Sequence, residues 1–369
     1  MTTATPADER GLGVRIGRIK GIPVYLSPSW FVIAIVIVVI VSEPVLSTRP
    51  AYGIGLGVAQ ALLLLVSVLV HEAAHGVTAL AFGMPVIRIV ATLWGGHTSL
   101  EAGRSTPGRM AGVAVAGPAA NGLLAALSFA ALPLFGDGLL GDLIQGLAII
   151  NGSLAVLNLL PGMPLDGGQV VECLVWKGTG NRNTGAVVAG WCGRVVAVLV
   201  VVWFFGRPLL DGASPGLGSI WVLVIGSVLW SGATQSIRRG QMLGSIAALR
   251  LEQVLRPAVA LPATATVEQA AVVGNRQLVV TDDTGRPTAY VGAAELAQVP
   301  AHVRSATPLS AVATYQQPGW VIEANPGDDV LAAVSTMQRF DLQVLAVTQH
   351  GRVIGVVHAG DVGRALSRN

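Results

Sequence analysis

The stretch "VSVLVHEAAHGVTAL", residues 66 to 80, sets two histidines and a glutamate inside a run that is otherwise apolar. Read at helical pitch, His71 and His75 project from one face, one turn above the other, with Glu72 beside them. That spacing offers two neutral nitrogen ligands and one carboxylate base, as a zinc-dependent hydrolase requires. Glu72 is placed to contact a water at the metal without ligating it. Chance is a poor explanation, because an unpaired charge at the centre of a bilayer costs at least ~3 kcal/mol.

The rest of the chain says that the surroundings are a bilayer. Hydrophobic residues make up 52% of the 369 residues and charged residues 12%. The mean hydropathy is strongly positive, which no ordinary soluble domain of this length shows. The net charge of +3 is small and the basic residues are scattered, which argues against a nucleic-acid partner. The two cysteines, Cys173 and Cys192, lie in or beside apolar stretches, so no disulfide framework is expected. Residues 1 to 20 are polar and basic, with no short apolar stretch and small-residue cleavage site, so no removal of a leader is expected.

Six apolar segments, near residues 29–46, 53–82, 109–134, 141–161, 186–206 and 216–235, each approach the ~20 residues that a helix needs to cross a hydrocarbon core. The first, "WFVIAIVIVVIV", is rich enough in β-branched residues to suggest a strand in water. In lipid its backbone groups must be satisfied within the segment, which predicts a helix opened by Pro28. Basic residues alternate between loops: Arg10, Arg15, Arg18 and Lys20, then Arg88, Arg104 and Arg109, then Lys177 and Arg182, then Arg238 and Arg239. All of these fall on one side, which the positive-inside rule makes cytoplasmic, with both termini.

From about residue 240 charges return and apolar runs shrink to strand length. "QLVVTDDTGRPTAYVGAAEL" and "QVLAVTQHGRVIGVVHAGDV" share one plan of strand, glycine turn, strand and helix start, about 65 residues apart, which predicts a soluble module of two similar halves.

Catalytic zinc takes three protein ligands and keeps one position open. The candidates for the third are Asp166 in "NLLPGMPLDGG", His97 in "LWGGHTSLE" and, with less to favour them, Glu43 and Glu172. Asp166 is preferred because the fourth apolar segment ends on the side where the second carries its histidines. Asn121 and Asn151 read as interhelical polar contacts, and Arg194 as a side chain snorkelling to the headgroups.

His71, Glu72 and His75, the "AGPAAN" of residues 116–121 and the "NLLPGMPLDGG" of residues 158–168 together resemble the site-2 protease family of intramembrane zinc metalloproteases (peptidase family M50) over roughly residues 14–236. The duplicated tail resembles a pair of CBS repeats, as in one subgroup of that family. The resemblance implies a polytopic α-helical membrane protein of six transmembrane helices with a short membrane-embedded β segment, plus a cytoplasmic α/β tandem CBS module. The divisions expected are a cytoplasmic N-terminal segment 1–27, a metalloprotease domain 28–236, a linker 237–248 and CBS repeats 249–306 and 307–369. It implies one zinc per chain on His71, His75 and Asp166, Glu72 as general base, Asn158 beside the substrate, and Gly95 and Gly96 on the embedded strand. Gln169 departs from the basic residue that many relatives carry after the two glycines.

The expected activity is cleavage within or near the transmembrane helix of a membrane-anchored protein such as an anti-sigma factor. The alternative is a zinc transporter or sensor with the same ligands and no hydrolysis. CBS pairs often hold adenine nucleotides through a Gly, a Ser or Thr and an Asp at three-residue spacing. Here the second repeat has Gly355, His358 and Asp361, and the first has Ala289, Gly292 and Glu295. That pattern leaves Asp361 as the one retained ribose contact and argues against adenine nucleotide, favouring a dimerisation or substrate-docking platform.

Overall fold

The computed structural model describes residues 13–92, 95–100, 105–210, 212, 217–274 and 276–368. The chain divides into two compact units, Met1–Gln241 and Met242–Asn369.

The first unit opens with strands β1 (Val14–Ile19) and β2 (Ile22–Leu26), followed by helix α1 (Trp30–Ser42) and helix α2 (Pro50–Ala81). Strands β3 (Val86–Thr92) and β4 (Gly95–Leu100) come next. The four strands form one sheet in the order β1-β2-β3-β4, so among the described residues β4 is an edge. Residues 14–26, expected to belong to a separate N-terminal segment, are therefore built into the same sheet as the embedded β segment. Ile22, Val24 and Ile89 form its packed core.

Four further helices matter for the site: α3 (Pro107–Phe135), α4 (Leu139–Asn158), α5 (Asp166–Thr179) and α6 (Arg182–Val201). Local chemistry explains their starts. Pro107 sits at the first position of α3, where a missing N–H costs nothing, behind the Thr106 cap. Asn181 caps α6 by accepting from the backbone N–H of Asn183 at 2.8 Å. Beyond α6 come a π-helical turn, the short α7 (Arg207–Leu210) and α8 (Leu217–Ala248).

Close approach between helices is made by small residues, as packing in lipid favours. A Cβ on Gly57 of α2 would stand 2.8 Å from Val38 Cα of α1, and Gly122 of α3 faces Ala155 of α4 at 3.9 Å. The outward faces stay apolar: Phe31, Ile35 and Val39, at helical spacing on α1, are all exposed.

Among the described residues, four helical stretches are long and apolar enough to cross a membrane, Pro50–Ala81, Pro107–Phe135, Leu139–Asn158 and Arg182–Gly206. Two of the six expected segments differ. The first is split into α1 and a 3₁₀ turn at Glu43–Val45, and the shorter apolar stretch is Trp30–Val45. The sixth lies within α8, which runs on through Gln235, Arg238, Arg239 and Gln241, so the expected linker 237–248 is helix. Continuous i→i−4 bonding carries the chain past the point where its apolar character fades.

The second unit holds a seven-stranded sheet in the order β8-β7-β6-β5-β11-β10-β9. Its first half comprises β5 (Leu255–Pro262), α9 (Val267–Ala271), β6 (Gln277–Thr281), β7 (Pro287–Val291), α10 (Ala293–Ala297) and β8 (Thr314–Tyr315). The second comprises β9 (Val321–Glu323), α11 (Leu331–Phe340), β10 (Val344–Gln349), β11 (Arg352–His358) and α12 (Ala359–Arg368). The antiparallel pairs β6–β7 and β10–β11, each followed by a helix, are the duplicated plan read from the sequence. Val279, Val280, Leu345, Val347, Val356 and Val357 are fully buried, which is why these strands read as unbroken apolar runs.

Strand β5 pairs with both β6 and β11 and joins the halves. Its Arg256 grips Asp361 of α12 through two bonds of 2.6 and 2.7 Å, and Arg364 bonds the same carboxylate. The Arg256 guanidinium foremost, with Arg364 behind it, holds the Asp361 carboxyl below its ordinary value of 3.8. The bridge is therefore fully present above about pH 4 and is lost as pH falls through the depressed value. The arginine side chains are 45% and 62% exposed, so solvent screening holds each pair to about 0.2–1 kcal/mol. In Asp361→Asn, hydrogen exchange of β5 and α12 in the full chain should speed up a few-fold at pH 7, and the difference from wild type should close as pH falls through the depressed value of Asp361.

Candidate metal centre

α2 is long enough, at 32 residues, to carry His71, Glu72 and His75 well inside the helix, and all three are buried at 5–7% exposure. His75 Nδ1 lies 2.6 Å from the backbone carbonyl oxygen of Val113 on α3. Facing that acceptor, Nδ1 carries the proton and donates it in a hydrogen bond, which leaves Nε2 with its lone pair free. The Nε2 atoms of His75 and His71 are 3.0 Å apart.

Asp166 arrives from elsewhere in the chain. After α4 ends at Asn158 the backbone folds back tightly: a Cβ on Gly167 would stand 2.4 Å from the Leu160 carbonyl, and one on Gly168 would stand 2.3 Å from Gly162 C. Met163 N–H donates to the Ala189 carbonyl at 3.0 Å, and Gly193 lets Met163 approach closely, so the loop is fixed to α6. It delivers Asp166, the first residue of α5, with Oδ2 at 3.0 Å from His71 Nε2 and 3.3 Å from His75 Nε2.

Three donor atoms thus converge with mutual separations of 3.0 to 3.3 Å. Ligands about 2.0–2.1 Å from a tetrahedral zinc stand roughly 3.3 Å from one another, so the residues fit that ion. Glu72 also brings a carboxylate oxygen within 4.8 Å of the histidine nitrogens. Its Oε2, however, accepts from the Thr98 hydroxyl at 2.7 Å, so Glu72 is held beside the cluster and Asp166 is the better third ligand.

The other ligand candidates lie apart. His97 is exposed on β4, Glu43 is exposed after α1, and Glu172 is paired with Arg182 at 2.8 Å. Along β4, Gly96 and Thr98 share the face toward α2 and His97 has the opposite one. A Cβ on Gly96 would lie 2.1 Å from Glu72 Cγ, so only glycine admits the strand this close. Gly95, at φ +112°, pairs with Thr92 at the hairpin end. Asn158 is half-buried at the end of α4, and among the described residues its amide has no hydrogen-bond partner. Asp361 lies in the second unit and is engaged by its two arginines.

Sequence reasoning missed Thr98, Gly117 and Val113. Thr98 had a signal, since it stands two residues from Gly96 and so on the same strand face. Gly117 sits in the "AGPAAN" stretch, where a Cβ would lie 2.4 Å from His75 Nε2 and 2.6 Å from His71 Nε2. Val113 acts through its carbonyl, which its side chain does not advertise.

A paired-histidine and carboxylate centre sunk into an apolar helix bundle is the donor set that the zinc metallopeptidase class uses. The sequence model for peptidase family M50 matches residues 59–146 and 137–203. The Synechocystis sp. protein named "Putative zinc metalloprotease sll0528" is 30% identical, with 96% of this chain and 95% of that protein covered. The chain belongs to peptidase family M50. The solved site-2 protease of Methanocaldococcus jannaschii is 22% identical with a TM-score of 0.46, covering 61% of this chain and 95% of that one. The CBS domain of a Sphaerobacter thermophilus membrane protein is 19% identical with a TM-score of 0.28, covering 36% of this chain and 96% of that one.

Two substitutions separate the parts of this site. Gly117→Val should abolish zinc binding by driving a side chain into both ring nitrogens, read as metal content of the purified protein. Thr98→Val should leave zinc in place and reduce turnover about tenfold, the loss expected when a partner orienting a catalytic group is removed.

Proposed function

We propose that the protein is an intramembrane endopeptidase that hydrolyses a peptide bond within or near the transmembrane helix of a membrane-anchored protein, with one zinc per chain on His71, His75 and Asp166. The observation that carries this reading is the convergence of those three donor atoms inside the bundle, with the Glu72 carboxylate held alongside by Thr98.

Bound zinc would supply Lewis-acid polarisation of the scissile carbonyl and acidify the attacking water. Glu72 takes the proton of that water at its carboxylate and passes it to the leaving amine, so the carboxylate is regenerated in each turnover. Thr98 donates to Glu72 Oε2 and keeps that oxygen pair turned toward the cluster rather than swinging freely. Asn158, with an unengaged amide, donates to the oxyanion that develops on the substrate.

The substrate must first give up helical hydrogen bonds near the cut. The open edge of β4 offers replacements by strand addition, with Gly95 and Gly96 letting another backbone approach. A helix-breaking residue in the substrate near the cut then favours cleavage. With the α1 segment and the first part of α8 joining the four long apolar helices, six crossings keep both termini on one side, and the excess of basic residues in the loops of that side supports a cytoplasmic location for them and for the tail.

For the tail we favour a CBS-type module that docks substrate, or that pairs with a second copy, over a nucleotide sensor. Asp361, the one ribose-type contact in the sequence, already has its carboxylate occupied by Arg256 and Arg364. An anti-sigma factor is one membrane-anchored regulator of the kind this activity would release.

Glu72→Gln should keep its zinc and lower cleavage of a reconstituted transmembrane substrate by at least ~100-fold, the scale of general-base catalysis. A membrane proteome comparison with wild type should show one uncleaved fragment accumulating in the variant. Full activity in Glu72→Gln would reject hydrolysis by this site and leave zinc transport or sensing. Asp166→Ala should lose zinc and His97→Ala should retain it; the reverse pattern would reassign the third ligand.

A further inference from the structure

The ring of His71 is held less completely than that of His75. His75 Nδ1 has the Val113 carbonyl, whereas His71 Nδ1 is buried and has no hydrogen-bond partner among the described residues. Three more buried polar atoms are in the same condition close by: Oδ1 and Nδ2 of Asn121, and Oδ1 of Asn151. Both asparagines are fully buried. Asn151 does serve as an interhelical contact, donating to Ser67 Oγ at 2.9 Å, but Asn121 makes no such contact.

Contacts among α2, α3 and α4 place these atoms in one layer of the bundle. On α3, Val113 meets His75 and Gly117 meets both His71 and His75, so α3 runs antiparallel to α2. Asn121, one turn beyond Gly117 on the same face, falls at the level of His71 and Ser67. Ser67 is itself one turn before His71 on the same face of α2, and it takes the amide of Asn151 from α4. The group therefore spans about one helical turn, roughly 6 Å. Its chemistry is complementary: one ring N–H, one amide donor and two amide oxygens at one level of the bundle, not directly bonded to one another. A buried water makes about three hydrogen bonds, and fully buried polar groups of this kind are what retain one.

We propose that Asn121 and Asn151 hold a buried water that accepts a hydrogen bond from Nδ1–H of His71, fixing the tautomer and ring angle that turn Nε2 toward the metal. This rests on the reading of His71 as a zinc ligand. Asn121 is then a positioning residue that acts through His71, and the asparagine of "AGPAAN" does for one histidine what the Val113 carbonyl does for the other.

The test uses the full chain in detergent or nanodiscs, with zinc affinity read by chelator competition and cobalt(II) substituted for its visible absorption spectrum. Asn121→Leu should weaken zinc 10- to 100-fold and alter the cobalt bands. Asn121→Asp, which keeps an acceptor of the same size, should stay within about threefold of wild type. The melting temperature of the metal-free protein should not fall in Asn121→Leu, whereas a merely structural asparagine would lower it. Wild-type zinc affinity in Asn121→Leu, or equal losses in Asn121→Leu and Asn121→Asp, would overturn the proposal. If Asn121→Leu fails to fold, Asn151→Leu makes the same comparison: weakened zinc supports the water and unchanged zinc rejects it. His71→Ala separates the two levels. Loss of zinc there beside a wild-type Asn121→Leu sinks the positioning role alone, and retained zinc in His71→Ala sinks the ligand reading and this inference with it.

Discussion

Three ionisable groups within two turns of an apolar helix are tolerable only if their charge and lone pairs are met from outside that helix. That constraint organises the first unit. His71 and His75 cannot both aim Nε2 at one point, 3.0 Å apart, unless a cation or a proton lies between them, and Asp166 Oδ2 supplies the balancing charge at 3.0 and 3.3 Å. The loop after α4 has to fold onto itself to bring that carboxylate in, which accounts for glycine at positions 162, 167 and 168, where backbone meets backbone. Gly117 has the same cause on the other side of the cluster. Small residues here mark the path along which a polar centre was fitted into a packed apolar bundle.

The sheet carries the other half of the arrangement. Glu72 needs a position beside the ligands without joining them, and a neighbouring helix would offer mostly side chains of fixed reach. An edge strand offers alternation: Gly96 removes bulk over the Glu72 side chain while Thr98, on the same face, donates to its carboxylate. One strand thereby orients the base and exposes a free backbone edge beside it. The seat of Glu72 and the edge of the sheet both belong to β4, so a change in strand register would disturb both together.

What the sequence made legible follows from period and scarcity. His71, Glu72 and His75 were readable because helical spacing dictates which side chains share a face. The strand-turn-strand duplication of the tail was readable because its runs are short and separated by glycine turns. Asp166 is preferred among four candidates by the side on which its segment ends, and the fold brings its carboxylate to the histidines. Val113 was invisible, since a backbone carbonyl belongs equally to every residue type. The stretch 237–248 reads as a linker because composition changes near residue 237; the boundary between the two compact units falls inside it, but its helical hydrogen bonding is not legible from composition.

The orphaned atoms near His71 extend this logic. A bundle that crosses lipid has every incentive to exclude polar side chains from its interior, and Asn121 and Asn151 are nonetheless fully buried there. Asn151 has a direct reason in Ser67. Asn121 has none unless it serves something that the side chains alone do not complete, and the incomplete group in its layer is the back of a candidate ligand. A histidine whose rear nitrogen lacks an acceptor is free to rotate or to adopt the wrong tautomer, and either would spoil the donor set that Asp166 closes. The polar interior of these three helices is therefore best understood as one arrangement, running from the carboxylate that faces the ion to the amides that hold the ring behind it.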